Sequence, residues 1–221
     1  MVTHLTVSTE NRACRLHCRY GRLHRERRAV AARIVGVVLG AGAGRRFGRP
    51  KVTVAGWLDA AVAALRDGGC SEVVVVLGAA RVPVGAGVTA VVAENWANGV
   101  SASVRAGVVR AQEMGADYVA LHVVDTPDVG AQVVARVIEA AVASPLGVAR
   151  ASFAGRPGHP VVIGRQHWGP MLPTLTGDRG AARYLRAVDV RAVECGDLAG
   201  GLDIDEPREA EPPDPTVGRD L

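Results

Sequence analysis

The residues best suited to chemistry are bunched behind one apolar run. Leu39-Gly40-Ala41-Gly42-Ala43-Gly44-Arg45-Arg46-Phe47-Gly48-Arg49-Pro50-Lys51 interleaves glycines with four cationic side chains. Glycines let a backbone approach a phosphate and turn its N–H groups toward it, and the cations add positive charge to the same loop. That chemistry suits a nucleoside triphosphate. No G-K-[ST] follows, so the loop is not of the Walker type. Counted from Gly40 or Gly42, the third glycine of a dinucleotide fingerprint would fall on Arg45 or Phe47. Lys51 is the single lysine among 26 basic residues. An ammonium on a flexible stem is a point charge that can follow one phosphate, whereas the arginine fork is broad and planar.

Carboxylates recur at two later places. Val123-Val124-Asp125-Thr126-Pro127 closes an apolar stretch. A carboxylate at the C-terminal end of a parallel strand reaches the edge where open α/β sheets bind ligands, and Mg²⁺ takes one or two such groups together with phosphate oxygens. Asp128 reads as the cap of the helix that follows. Asp203 and Asp205 share one face if their segment is extended. His159, in Gly155-Arg156-Pro157-Gly158-His159-Pro160-Val161, could serve as a general base or could order its loop. Ser101 has the chemistry of a helix N-cap, worth ~1 kcal/mol. Asp178 has the same chemistry at a second helix start.

The elements that position these groups follow from periodicity. Continuous apolar runs predict buried strands at 34–39 and 72–77, with further strands at 88–93, 118–124, 146–153, 161–163 and 190–194. Apolar residues at helical spacing predict helices over 57–66, 101–114, 131–143 and 178–187. Strands alternating with helices imply βαβ units, a mainly parallel sheet and a single three-layer α/β/α domain of Rossmann-like type spanning 34–205. Right-handed crossovers then gather the loops after the strand C-termini along one edge.

Composition bounds the rest. The 221 residues are 48% hydrophobic and 22% charged, which is globular usage, and no apolar run is long enough to cross a bilayer. The net charge is +4. Residues 1–33 hold eight Arg and two Glu, so the remainder is slightly acidic and a basic nucleic-acid face spread over the fold is excluded. That Arg-rich segment reads as a disordered extension, and the tail 206–221, with four prolines, as loose. Cys14, His17, Cys18 and His24 lack the second ligand pair of a usual zinc module. Four scattered cysteines make no disulfide framework, which fits a reducing cytoplasm.

The glycine loop resembles the signature L-A-A-G-x-G-x-R-x-G-x-P-K of the MobA-like nucleotidyltransferases, which include the molybdenum cofactor cytidylyltransferases and guanylyltransferases. Further segments agree in order. Asn95–Gly107 resembles the family's N-x-x-W-x-x-G-x-x-x-S, one residue tighter around Trp96. Asp125-Thr126-Pro127 resembles D-x-P, Pro157-Gly158-His159-Pro160 matches P-G-H-P, and Gly177-Asp178-Arg179-Gly180-Ala181 resembles G-D-x-G-A. Asp203-Ile204-Asp205 resembles the closing D-I-D. After Lys51 the family's G-x-P-L-L is missing, and Ala181-Ala182 displaces Arg183 from its motif position.

The resemblance implies a fold of the nucleotide-diphospho-sugar transferase type. It implies transfer of a nucleoside monophosphate from a triphosphate to a phosphorylated small-molecule acceptor, with molybdopterin favoured and pyrophosphate released. Leu39, Ala41, Gly42, Ala43, Gly44, Arg45 and Lys51 would bind the nucleotide, and Gly99 and Ser103 would contact its base. Arg45, Lys51 and Asp125 would be catalytic, and Asp125 and Asp205 would hold Mg²⁺. Ser101, His159, Asp178 and Arg179 would shape the acceptor pocket. Ala41, where guanylyl-transferring relatives carry glycine, leans to CTP over GTP. Molybdoenzymes are implied partners, and nucleic acid and membranes are not. Relatives of this family also bring a second class, an NAD(P)H-dependent oxidoreductase of the nicotine blue type. A third is a non-catalytic nucleotide-binding partner of molybdoenzymes.

Overall fold

The computed structural model describes residues 32–206. The Arg-rich extension, the Cys14/His17/Cys18/His24 group and most of the proline-rich tail lie outside the described residues. The first strand, β1 (Ile34–Leu39), is buried on both faces, as its unbroken apolar run requires. It pairs in parallel with β2 (Glu72–Leu77) on one side and β4 (Tyr118–Val123) on the other, and β3 (Val88–Val92) extends the sheet in parallel beyond β2. The complete order is β3-β2-β1-β4-β6-β5-β7, where β5 is Val148–Phe153, β6 Arg156–Gly164 and β7 Arg191–Glu194. Only β6 runs against the others, pairing antiparallel with both β4 and β5.

Helices cover both faces, making three layers. On one side α1 (Trp57–Asp67) and α3 (Ala131–Ala143) bury Leu58, Leu65, Val133, Val134 and Val137 against Val38, Val73, Val75 and Val162. On the other, α2 (Val100–Glu113) sets Val104, Val108 and Ala111 against Val35, Val37, Val74 and Val76. The short helices α4 (Trp168–Met171) and α5 (Ala182–Leu185) complete that layer through Trp168, Met171 and Leu185.

Three expectations need correction. The strand expected at 161–163 is nine residues long and enters through a hairpin, with Ala154 at φ 51° and Gly155 at φ 77°. Positive φ at both central residues is the turn that matches strand twist, but Ala-Gly is a weaker signal for it than Asn-Gly. A register shift between Arg150 and Ser152 then bulges residues 158–160 out of the ladder. The helix expected over 178–187 is a 3₁₀ turn at Gly177–Arg179 followed by α5, because Gly180 at φ 50°, ψ −134° leaves helical space. Ser101 is no N-cap: Gly99 holds that position of α2, without a side-chain bond, and Ser101 lies buried in the first turn.

Candidate active site

The glycine loop leaves β1 at the C-terminal edge of the sheet and is tied down at both ends. Gly40 N–H donates to the Val76 carbonyl at 2.9 Å, and Ala79 N–H donates back to the Ala41 carbonyl at 3.0 Å. Phe47 is buried and meets the Trp57 ring at a centroid distance of 5.5 Å, anchoring the loop on α1. Gly44 sits at φ 61° where a Cβ would strike the Arg49 carbonyl, so the loop closes on itself only with glycine there. Lys51 opens a 3₁₀ turn, Lys51–Thr53, pinned by buried Val52 and by Thr53 Oγ1 donating to the Pro50 carbonyl at 2.7 Å.

That turn aims the lysine at the carboxylates. Lys51 Nζ donates to Asp125 Oδ2 at 2.7 Å and to Asp205 Oδ1 at 2.9 Å, and Arg46 stands 3.0 Å from Asp205 Oδ2. Burial works against the charged form of Lys51, but the hydrogen bonds and charges of the two carboxylates outweigh it and raise its pKa. The Lys51 hydrogen bond likewise leads in lowering the pKa of Asp205. Asp203 moves the other way, raised by its enclosure and by the negative charges of Asp125 and Asp205.

Asp205 reaches the site on a strap running from 198 to 206. Ile204 N–H donates to the Asp125 carbonyl at 3.0 Å, and the Gly200 and Gly201 N–H groups both donate to Asp128 Oδ2, at 2.8 and 2.9 Å. Asp128 is therefore a strap anchor rather than the expected helix cap. The α3 N-cap, Gly130, has no side-chain bond.

One cavity of about 640 Å³ joins these parts, within the usual range for small-molecule sites. Leu39, Ala41, Gly42, Ala43, Gly44, Arg45, Lys51, Gly99, Ser103, Asp125, Asp178 and Asp205 all line it. Phe47 and Trp96, to which sequence reasoning gave no site role, also face it, as do Arg46, named there among the loop cations, and Asp203, named there as sharing a face with Asp205. Ser101, His159 and Arg179 do not line it. Half-buried His159 lies in the β5–β6 bulge. Burial, assisted by Arg150 and opposed by Asp125, lowers its pKa to about 4, so it is neutral at ordinary pH.

A divalent cation fits this donor set. Asp125 and Asp205 offer oxygens to one point, at present held by an ammonium, and hard oxygen donors suit Mg²⁺ or Mn²⁺. The described residues contain no ready-made group of three ligating side chains. An ion here would complete its shell with phosphate oxygens and water.

Comparison with known proteins agrees with this architecture. The MobA-like NTP transferase domain profile matches residues 36–193. The nicotine blue oxidoreductase of Paenarthrobacter nicotinovorans is 33% identical over 191 residues, covering 78% of this chain and 92% of that protein. The crystal structure of Rv0371c from Mycobacterium tuberculosis H37Rv superposes with a TM-score of 0.66 at 28% identity, covering 80% of this chain and 95% of that one. A manganese complex of Rv0371c gives 0.63 at 25%, covering 78% and 94%. A chain whose fold, loop and profile agree over this length belongs to the MobA-like NTP transferase family and is a nucleotidyltransferase of Rossmann-like α/β architecture.

Proposed function

We propose that the protein moves a nucleoside monophosphate, CMP in preference to GMP, from its triphosphate to a phosphorylated acceptor, molybdopterin being the favoured one. The observation that carries this reading is the Lys51 ammonium held between Asp125 and Asp205 at the mouth of the glycine loop, within one cavity. An acceptor phosphate oxygen attacks the α-phosphorus, the new P–O bond forms as the α–β anhydride bond breaks, and pyrophosphate carries away the electron pair. Little proton transfer is needed, so catalysis is positioning and charge neutralisation. Gly42, Ala43 and Gly44 cradle the phosphates, Arg45 neutralises the β and γ charge, and Lys51 follows the α-phosphate. Mg²⁺ held by Asp125 and Asp205 would neutralise phosphate charge and orient the reacting oxygens. A cytoplasmic setting is consistent with the free thiols Cys70 and Cys195. Among the described residues no helix is long and apolar enough to cross a membrane.

The relative named for nicotine blue reduction supplies a second reading, hydride transfer from NAD(P)H. The glycine loop opposes it, because the dinucleotide spacing is absent. Thermal unfolding with Mg²⁺ and each of CTP, GTP, ATP, UTP and NADPH separates the two. A ligand at ~100 times its dissociation constant stabilises by ~2.7 kcal/mol. The transferase reading expects a CTP shift that a chelator abolishes, together with metal-dependent pyrophosphate release on addition of acceptor. A shift with NADPH alone overturns it. Nucleotide binding without turnover of any phosphorylated acceptor favours a non-catalytic partner of molybdoenzymes.

A further inference from the structure

The cavity is electrostatically lopsided. Its phosphate end gathers Arg45, Arg46 and Lys51 with three carboxylates, whereas the end formed by Ala97, Gly99, Val100 and Ser103 carries a single charged group, Asp178. By resemblance Asp178 belongs to an acceptor pocket, but its position is against the start of α2. A Cβ on Gly99 would lie 2.5 Å from Asp178 Oδ1, so the carboxylate rests directly over the Gly99 backbone. It is not there as a cap. Among the described residues it accepts no hydrogen bond from the first N–H groups of α2, and it pairs with no cation.

The placement is built in. The 177–179 turn is bracketed by Gly177 at φ 58° and Gly180 at φ 50°. Gly180 is pressed on the α2 side chains Val100 and Val104, which a Cβ would meet at 3.3 and 3.6 Å. Packing against the helix therefore fixes an unpaired carboxylate beside Gly99 and Ser103, the two residues that the nucleotidyltransferase reading assigns to the base.

We infer that Asp178 reads the nucleotide base, accepting a hydrogen bond from an exocyclic amino group and thereby rejecting uracil. An ionised carboxylate can only accept. Cytosine offers N4–H₂ on its pairing edge, whereas uracil offers O4, a second acceptor that leaves both groups unpaired and repelling. A site built to receive a donor discriminates strongly against an analogue lacking it. This inference rests on the proposed nucleotidyl transfer and adds to it the group that chooses the base.

The test is calorimetric titration of the full chain with CTP and with UTP, both in Mg²⁺, for the wild type, Asp178→Asn and Asp178→Ala. Asp178 is exposed, so both variants should keep the wild-type unfolding midpoint. The asparagine amide can donate to O4, so Asp178→Asn should lower the CTP-over-UTP preference about tenfold or more, chiefly by tightening UTP. Asp178→Ala should weaken CTP without tightening UTP. An unchanged preference in folded Asp178→Asn overturns the inference and returns Asp178 to the acceptor side. If the wild type binds no triphosphate at all, the nucleotidyl-transfer reading itself fails, and that outcome is visible before any variant is made.

Discussion

His122 lies near the C-terminal end of β4, paired in register with Val38, and is 0% exposed, with neither ring nitrogen hydrogen-bonded. Burial lowers its pKa to about 3, with the nearby His159 adding to the effect. The folded chain thus refuses a proton that the unfolded chain accepts near the ordinary histidine value of 6.5. The unfolded state binds more protons in this window, so stability rises with pH. What is held above the unfolded pKa is lost progressively as pH falls from about 6.5 toward about 3. At pH 5 the loss is ~2 kcal/mol from this one side chain, whatever the folded pKa, provided that it lies below 5. The perturbation is His122→Leu, which keeps the volume nearly constant and removes both unpaired nitrogens. Near neutral pH the variant should be within ~1.5 kcal/mol of wild type. Urea unfolding of both proteins at about pH 7.5 and about pH 5 cancels the other titrating groups. The variant should lose ~2 kcal/mol less on acidification. An equal loss in the two proteins would show that His122 is protonated or paired in the fold, and would refute the reasoning.

Lys51→Met should cost ~1–2 kcal/mol, less than for a fully buried pair because Asp205 is 41% exposed, and should lower pyrophosphate release ~100-fold or more. Both are read by urea unfolding and a pyrophosphate assay. Gly44→Ala should cost ~1–3 kcal/mol through positive φ and collision with the Arg49 carbonyl, and should abolish the CTP-induced thermal shift. A full shift in that variant would remove the glycine loop from the phosphate site. Asp128→Ala should leave the sheet intact while amides at 200, 201 and 204 exchange faster with solvent by mass spectrometry, since the Gly200 and Gly201 N–H groups lose their acceptor.

Local signals carried much of this structure. The valine runs of β1 and β2 and the apolar stripes of α1 and α3 are period and burial written directly in the chain, and their limits agree with expectation to within a residue. Asp125 stood out because strand ends in such sheets face one edge and Lys51 as the one lysine closing the glycine loop, whereas Asp205 was marked only by the family resemblance, its own residues reading as an acidic turn. What stayed hidden depends on long-range geometry. The antiparallel course of β6 follows from a two-residue Ala-Gly turn, and the Asp128 anchor joins groups 72 residues apart. Asp178 has a helix-start pattern, and only the bend at Gly180 turns it toward Gly99.

The strap has a consequence for synthesis. Lys51 leaves the ribosome well before its partner Asp205, which follows 154 residues later, after every strand of the described sheet. A nascent chain can therefore assemble the glycine loop and most of the sheet while still lacking Asp203 and Asp205. Such a chain already sets Asp125 against Lys51 but lacks Asp205, so Lys51 is only half balanced and Arg46 has no carboxylate partner. The charge balance around Lys51 closes only with the final stretch of the domain, when the strap docks on Asp128.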